Sequence, residues 1–134
     1  WPENKNFAKK CKKKLINFIQ LVAPTTSSLR LKKIIKDSHD MVYYISMLST
    51  TGGKLKISAK KIMANYNKIK KVNKKKNIVI GFGITDKTIS SLTKADGLVV
   101  GSALCKTITD SLMGKKNPTI AAVKMVKKLK SQIM

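Results

Sequence analysis

The chain has 134 residues, 43% of them hydrophobic, and a formal net charge of +23 at pH 7. This length and apolar content are enough for one domain with a hydrophobic core. No apolar run approaches the roughly 20 residues of a membrane-spanning helix, and the polar, lysine-rich amino terminus lacks the apolar stretch of a signal peptide. We therefore expect no membrane segment. Because the chain starts with Trp1 and not with Met, we also expect it to be processed or truncated.

The high positive charge is a feature of many nucleic-acid-binding proteins. However, Arg30 is the one arginine among 29 basic residues, and the planar guanidinium of arginine is the usual group for recognising bases and phosphates. The lysines are spread over nearly every predicted helix and form no single stripe. We interpret them as solvated helix faces in a chain whose composition favours Lys, Asn and Ile. Nucleic-acid binding is expected only as weak, non-specific association at low salt.

The cysteines and histidine give no support for a metal or redox site. Cys11 and Cys105 lie far apart in the sequence and fit no metal-binding or redox spacing. His39 is the single histidine, so a transition-metal site is not expected. We predict two free thiols, buried or half-buried, in a reducing compartment such as the cytoplasm. We predict no metal and no cofactor.

The first part of the chain alternates helical and strand-like segments. A helix is predicted over residues 4–14 and an apolar strand over residues 17–22. A turn over residues 24–28 leads into a second helix, whose apolar side chains are predicted to share one face: Leu29, Ile34 and Ile35. The β-branched and aromatic segment 41–45 predicts a second strand.

The alternation continues to the end of the chain. A loop over residues 46–57 precedes a helix with apolar residues at i, i+4 and i+7, namely Ile62, Tyr66 and Ile69. Further elements follow as a strand over 77–82, a short helix over 85–93, a strand over 96–100 and a helix over 101–112. Asn117 and Pro118 predict the start of a last helix, because Asn caps a helix and Pro fits its first turn. Its inward face is predicted to hold Ile120, Val123, Val126, Leu129 and Ile133.

Four apolar strands, each followed by a helix, predict an α/β fold with a parallel sheet covered by helices. Four such units fit an open doubly wound sheet or half of a (β/α)8 barrel. A complete barrel takes about 250 residues, so this chain has about half the required length. We expect one partial barrel domain over residues 1–134 and no second domain.

Glycines follow three of the predicted strands, at the end of a parallel sheet where ligands bind. They lie in the segments Thr51-Gly52-Gly53, Gly81-Phe82-Gly83-Ile84 and Gly101-Ser102-Ala103. Glycine lets a ligand approach the backbone, and the start of a helix presents free N–H groups to an anion. Two such glycine segments, one βα unit apart, predict a phosphate site. The nucleotide-binding patterns G-x-G-x-x-G and G-x-x-x-x-G-K-S/T are absent.

The order and spacing of segments 43–46, 51–52, 81–84 and 98–103 resemble the second half of the tryptophan synthase alpha chain family. The G-F-G-I segment is fairly specific to that family, whereas Gly-Ser-Ala is shared with several phosphate-binding barrels. The resemblance covers essentially the whole chain. It implies that the four strands here are the fifth to the eighth of a TIM barrel, which makes the chain the carboxyl-terminal half.

The resemblance also implies an activity, the retro-aldol cleavage of indole-3-glycerol phosphate to indole and glyceraldehyde 3-phosphate. Backbone N–H groups at four matching positions would bind the substrate phosphate: Gly52, Gly83, Gly101 and Ser102. The indole side would be lined by Tyr43 and Phe82, and Thr51 would belong to the loop that closes over the substrate. The implied partner is the pyridoxal-phosphate-dependent beta chain, which receives the indole.

The reaction requires two placed acid–base groups, and no acidic residue of this chain has a suitable position. Asp37, Asp40 and Asp96 precede strands, Asp110 lies late in a helix, and Asp86 and Glu3 are best read as helix-start residues. In the family the acid and base follow the early strands. We therefore expect the chain alone to bind phosphate weakly and to catalyse nothing. We also expect poor solubility or dimerisation through the open strand edges.

Two alternatives to this family are compatible with the sequence. One is another phosphate-binding barrel enzyme of amino-acid or cofactor biosynthesis, which would share the glycine segments but differ near Tyr43 and Thr51. The other is a non-enzymatic basic protein that binds RNA or DNA, which predicts a steep dependence of affinity on salt.

Overall fold

A computed structural model describes residues 5–46, 58–81, 84 and 88–133 of the chain. The strands are β1 (Gln20–Val22), β2 (Met41–Ile45), β3 (Asn77–Gly81) and β4 (Gly97–Val99). The helices are α1 (Lys5–Lys13), α2 (Ser28–Asp37), α3 (Ala59–Val72), α4 (Ser102–Met113) and α5 (Pro118–Ser131), with a 3-10 helix (Ile89–Leu92) between β3 and β4.

The four strands form one parallel sheet in the order β1-β2-β3-β4. The pairing places Leu21 beside Tyr43, Tyr43 beside Val79, and Val79 beside Gly97. In a doubly wound sheet the strand order reverses at a switch point, whereas in a (β/α)8 barrel each strand pairs with the next one along the chain. The sequential order therefore confirms four parallel strands arranged as half of a barrel.

The hydrophobic core lies between one face of the sheet and the helices. Along each strand alternate side chains point to opposite faces, and on β2 and β3 those facing the helices are fully buried. They are Val42, Tyr44, Ile78 and Ile80, each 0% exposed. They belong to one cluster with residues of α2 and α3, namely Ile34, Ile35, Ile62, Tyr66 and Ile69. The i, i+4, i+7 pattern predicted for α3 is thus the face that it buries.

The opposite face of the sheet is apolar and largely uncovered. Leu21 is 57% exposed and Val99 is 38% exposed, and Tyr43 and Val79 between them are half-buried. This face corresponds to the interior of a barrel, which in a complete barrel is filled by side chains of all eight strands. The site described below lies where this face meets the carboxyl ends of the strands.

Three helices begin at side chains that accept hydrogen bonds from the first turn. The capping residues are Ser27 for α2, Ser58 for α3 and Asn117 for α5, the last followed by Pro118 at the first helical position. Such a cap satisfies backbone N–H groups that have no partner within the helix. The helix start predicted at Asn117 and Pro118 is confirmed.

A partly buried charge cluster joins β3, the start of β4 and α3 at the amino ends of the strands. The Asp96 carboxylate accepts hydrogen bonds from Lys70 Nζ at 2.7 and 2.8 Å and from the Ile78 backbone N–H at 2.8 Å. Burial by itself raises the pKa of Asp96. The Lys70 and Ile78 hydrogen bonds, together with the Lys70 charge and the Tyr66 hydroxyl, outweigh it and lower that pKa below its usual 3.8. These hydrogen bonds favour the ionised form of Asp96, which predominates at neutral pH. The cluster therefore stabilises the fold at neutral pH.

Several predicted boundaries and faces are wrong. Strand β1 covers Gln20–Val22 and not residues 17–22, because only these three residues pair with β2. The described part of the helix predicted over 85–93 is the four-residue 3-10 helix, and residues 85–87 lie outside the described ranges. Leu29 is 68% exposed, because the α2 residue that shares a face with Ile34 and Ile35 is Leu31, at the i, i+3, i+4 spacing.

The inward face predicted for α5 is also wrong for most of its residues. Leu129 is buried, but the other four residues of that face are between 44% and 66% exposed: Ile120, Val123, Val126 and Ile133. The periodicity correctly marks an apolar face, but within the described ranges α5 packs mainly against α4. Cys105 likewise is exposed, whereas Cys11 is buried, and both thiols are free.

Candidate functional site

The carboxyl ends of the four strands lie along one edge of the sheet because all of them are parallel. Ser46 follows β2, Gly81 ends β3, and Gly101 and Ser102 follow β4 by two and three residues. Gly81 pairs with Val99, which places the ends of β3 and β4 side by side. Two of the four predicted phosphate-binding residues, Gly101 and Ser102, are therefore at this edge.

Helix α4 begins at this edge with an exposed amino end. Gly101 is its N-cap and offers no side-chain hydrogen bond. The Gly101 carbonyl accepts the N–H groups of Leu104 at 2.9 Å and Cys105 at 3.1 Å. The N–H groups of Ser102 and Ala103 precede them and have no partner within a helix. Because the helix dipole adds partial positive charge at the same point, this end of α4 is suited to an anion.

Packing does not explain why a glycine occupies position 101. Its φ is −117°, outside the left-handed region, and a methyl group built there would meet nothing within 4 Å. Neither a left-handed turn nor internal packing requires glycine. The open space beside the backbone would instead let a ligand approach the amino end of α4.

Gly81 differs in this respect, because its lack of a side chain is needed within the fold. A methyl group built on Gly81 would overlap the hydroxyl and Cζ atoms of Tyr43, and Cε1 would be 2.7 Å away. The ring of Tyr43 therefore lies across the Gly81 backbone on the uncovered face of the sheet. Tyr43, predicted to line the indole side, is half-buried next to the end of β3.

Ser46 is not among the predicted site residues, but it lies at the same edge of the sheet. It is fully buried, and its Oγ donates to the Gly81 carbonyl at 2.8 Å while its backbone N–H donates to the same oxygen at 3.1 Å. These two bonds continue the pairing of β2 with β3 to the point where the Gly-Phe-Gly segment begins. A serine directly after an apolar strand was the available signal, but a single serine has many possible roles.

Four predicted site residues lie outside the described ranges. They are Thr51, Gly52, Phe82 and Gly83. The structure brings together Tyr43 and Gly81, and places Gly101 and Ser102 next to the end of β3. The roles assigned to all seven predicted residues remain predictions.

The acidic side chains of the described residues lie away from this edge. Asp96 is engaged with Lys70 at the opposite end of the strands. Asp110 pairs with Lys106 at 2.7 Å in the i, i+4 arrangement on α4, and Asp40 lies just before β2. Asp37 ends α2 at the same side of the sheet as Asp40. Glu3 and Asp86 fall outside the described ranges.

No metal-binding group is found among the described residues, where no three His, Cys, Asp or Glu side chains come together. In the same residues no helix is long and apolar enough to cross a bilayer. The edge thus offers backbone N–H groups, a neighbouring aromatic ring and an apolar sheet face. This combination can bind an anionic group at α4 and an apolar, planar group beside Tyr43.

Comparisons with known proteins agree with this architecture. The family model described as tryptophan synthase alpha chain matches residues 1–134. The tryptophan synthase alpha chain of Pelagibacter ubique strain HTCC1062 is 71% identical over 133 residues, covering 99% of this chain and 50% of that protein.

Two solved structures show the same fold. The crystal structure of tryptophan synthase subunit alpha from Legionella pneumophila strain Paris superposes with a TM-score of 0.83 at 26% identity and covers 98% of this chain and 48% of that one. The crystal structure of the tryptophan synthase complex from Pyrococcus furiosus gives a TM-score of 0.69 at 28% identity, with 96% and 49% covered. This chain thus spans about half the length of its relatives, and it belongs to the tryptophan synthase alpha chain family.

Proposed function

We propose that this chain provides the phosphate-binding half of a lyase of tryptophan biosynthesis, which cleaves indole-3-glycerol phosphate to indole and glyceraldehyde 3-phosphate. The observation that carries this proposal is the exposed amino end of α4 at the carboxyl edge of a half barrel. Gly101 there has open space beside its backbone, where an added methyl group would meet nothing within 4 Å. Membership of the tryptophan synthase alpha chain family supports the same activity.

In this proposal the substrate phosphate lies against the amino end of α4. The N–H groups of Gly101 and Ser102 donate to phosphate oxygens, and the α4 dipole adds to the attraction. Gly52 and Gly83 supply further N–H groups from the two preceding βα loops. Phosphate sites of barrels characteristically lie after the seventh and eighth strands, which correspond to β3 and β4 here.

The indole portion lies on the uncovered face of the sheet. Tyr43 lines it from β2 with its ring held across Gly81, and Phe82 contributes from the segment that follows β3. Aromatic rings bind a planar indole through stacked or edge-to-face contacts. Thr51 belongs to the loop that closes over the bound substrate and excludes water from it.

We propose that the acid and base come from the half of the relatives' length that this chain does not span. Asp96 and Asp110 are paired with lysines, and Asp37 and Asp40 lie at the opposite side of the sheet. None of these four can reach a substrate bound at α4 without a large rearrangement, and proton transfer requires hydrogen-bond distance. The 134-residue chain alone is therefore expected to form no indole.

The proposed protein partner is the tryptophan synthase beta chain. The relative from Pyrococcus furiosus is described as part of a tryptophan synthase complex, which supports such an assembly. We further propose a cytoplasmic location, which the free thiols Cys11 and Cys105 favour because disulfides are rare there. Residues 1–134 are proposed to be one partial barrel domain.

The test joins this chain to the upstream half of the 71% identical Pelagibacter ubique protein and measures indole formation from indole-3-glycerol phosphate. The chimaera is expected to be active, and the isolated chain inactive. Ser102→Asp introduces a negative charge at the amino end of α4 and is expected to raise KM at least about tenfold, because like charges repel at this site. Ser28→Asp is the matched control, since Ser28 is the first residue of α2.

The outcomes separate the two parts of the proposal. A folded chimaera that forms no indole would contradict the proposed activity. An active chimaera whose KM is equally insensitive to Ser102→Asp and Ser28→Asp would keep the activity but contradict the position of the phosphate.

A further inference from the structure

We propose that a groove between α1 and α2 is a docking site for an acidic amphipathic segment of a partner protein. The groove lies at the amino-terminal side of the sheet, away from the carboxyl edge that holds the candidate phosphate site. Its walls are α1, the loop from α1 to β1, and the end of α2 with the loop that follows it. The inference does not rest on the proposed catalytic function.

The α1–α2 groove has a volume of about 590 Å³ and an apolar floor. Ala8 of α1 and the side chains of Leu15, Ile16 and Phe18 line it. Leu15 is 94% exposed and Ile16 is 59% exposed. Adjacent exposed apolar side chains with a polar rim are characteristic of protein interaction sites.

Leu15 occupies a backbone position that disfavours leucine. Its φ is +56°, in the left-handed region that ends many helices and that glycine normally fills. The Ile16 N–H donates to the Cys11 carbonyl at 2.9 Å and the Leu15 N–H to the Lys12 carbonyl at 3.1 Å, which forms the usual helix-ending turn. The leucine side chain thus adds backbone strain and, being exposed, contributes almost nothing to the core. Contact with a partner would explain its presence.

The rim of the α1–α2 groove is strongly basic. Four lysines line it, with Asp37 as the one acidic residue among the lining side chains: Lys5, Lys9, Lys12 and Lys36. Lys5, Lys9 and Lys12 follow one another at helical spacing and so lie on the side of α1 that borders the groove. A basic rim around an apolar floor is complementary to a helix that carries acidic residues beside an apolar stripe. A small anion would leave the apolar floor uncovered, so the charge and the floor together favour such a segment.

Two sets of contacts join the walls of the α1–α2 groove to neighbouring segments. The rings of Phe7 and Phe18 contact each other edge to face with centroids 5.5 Å apart, which ties α1 to the segment before β1. The Lys76 ammonium donates to the carbonyls of Ser38 and His39 at 3.0 and 2.6 Å and fixes the opposite wall.

The test uses a synthetic amphipathic peptide of 14 residues with Leu at i, i+3, i+4 and i+7 and Glu at the flanking positions. Its binding to the full chain is measured by NMR at 150 mM salt, against a scrambled peptide of the same composition. We expect the patterned peptide to bind at least about fivefold more tightly than the scrambled one, with resonance shifts concentrated in α1, residues 15–18 and residues 36–39.

Three variants test the two components of the α1–α2 groove separately. Lys9→Glu is expected to weaken binding at least about fivefold, whereas Lys10→Glu, which makes the same change in net charge on α1 outside the groove lining, is expected to leave it unchanged. Leu15→Gly is expected to weaken binding while raising the melting temperature, because it relieves the strained backbone. The rise in stability excludes misfolding as the cause of weaker binding.

Two results would overturn the proposal. Equal binding of patterned and scrambled peptides, with equal effects of Lys9→Glu and Lys10→Glu, would mean only non-specific attraction to a basic protein. Loss of peptide binding in the chimaera with the Pelagibacter ubique upstream half would mean that residues of the same chain cover the groove.

Discussion

The contact between Tyr43 and Gly81 gives the sharpest prediction of the structure. A methyl group on Gly81 would occupy the space of the Tyr43 hydroxyl and ring carbons, so Gly81→Ala must displace the whole ring. Overpacking of this kind costs about 1–3 kcal/mol. Tyr43→Ala removes the ring and, since Tyr43 is only half-buried, is expected to cost about 1–2 kcal/mol, below the range for a fully buried aromatic residue.

The double variant distinguishes the Tyr43–Gly81 contact from a general loss of stability. With the ring absent, the added methyl group has space, so Tyr43→Ala with Gly81→Ala is expected to be more stable than the sum of the single changes by about 1–2 kcal/mol. The free energy of unfolding is measured by urea denaturation for the four proteins of the cycle. Leu21 is the control. It pairs with Tyr43 and lies on the same sheet face, but the three atoms nearest to a methyl group on Gly81 all belong to Tyr43.

A coupling free energy within about 0.5 kcal/mol of zero would refute this reasoning. It would mean that the Tyr43 ring moves aside at no cost and does not lie fixed across β3. Coupling of equal size in a cycle of Leu21→Ala with Gly81→Ala would also refute it, since the effect would then be a general loosening of the uncovered sheet face.

Three further predictions concern stability, each measured by urea denaturation. Asp96→Asn is expected to cost about 1–3 kcal/mol at pH 7, because it weakens charged, partly buried hydrogen bonds, whereas Asp110→Asn at an exposed pair is expected to cost less than about 0.5 kcal/mol. Since the pKa of Asp96 is lowered in the folded state, its contribution to the free energy of unfolding is fully present above the usual pKa of 3.8 and is lost as pH falls through the folded pKa. Equal acid sensitivity of wild type and Asp96→Asn would contradict this. Ser46→Ala is expected to cost about 0.5–1.5 kcal/mol, since the carbonyl that it contacts keeps one N–H donor, and an unchanged midpoint would show that the side-chain bond is unimportant. Lys115→Gly is expected to stabilise the fold by about 0.5–1 kcal/mol because Lys115 has a φ of +53°, and destabilisation would show that its side chain makes a needed contact.

The sheet could be predicted from sequence because its strands are short apolar runs between helices. Residues 41–45 are predicted and observed with the same bounds, since every residue of this strand pairs with β3. Residues 17–19 are predicted to belong to β1 but lie outside it, because the apolar run does not show where the pairing with β2 begins. Sequence alone also left two arrangements of the sheet open, and only the observed strand order distinguishes them.

The exposed apolar stripe of α5 shows a different limit of prediction from sequence. An apolar stripe indicates which face of a helix would be buried, but not whether another element packs against it. The correct spacing is found at Ile120, Val123 and Val126, yet these side chains are 66%, 48% and 50% exposed. In the same way, Leu15 at the end of α1 could not be identified from sequence as exposed and strained, because both properties depend on its backbone conformation.

The parts of the candidate site in which glycine follows a strand could be predicted from sequence. The parts that depend on packing between strands could not. Gly101 and Ser102 were identified because they open a helix after an apolar strand, which is a local pattern. The roles of Ser46 and Gly81 arise from contacts between β2 and β3, 35 residues apart in the chain. Such contacts depend on the strand register, which the sequence did not specify.

A phosphate site at the carboxyl edge of the sheet is tested most directly by an NMR titration of the 134-residue chain with glycerol 3-phosphate. We expect saturable shifts of the backbone amides of Gly101 and Ser102 at the start of α4, with further shifts at Gly52 and Gly83. The amide of Ser28 at the start of α2 should not respond. Shifts spread over the lysine-rich helices, or equal responses at Ser28 and Ser102, would contradict a phosphate site at the carboxyl edge of the sheet.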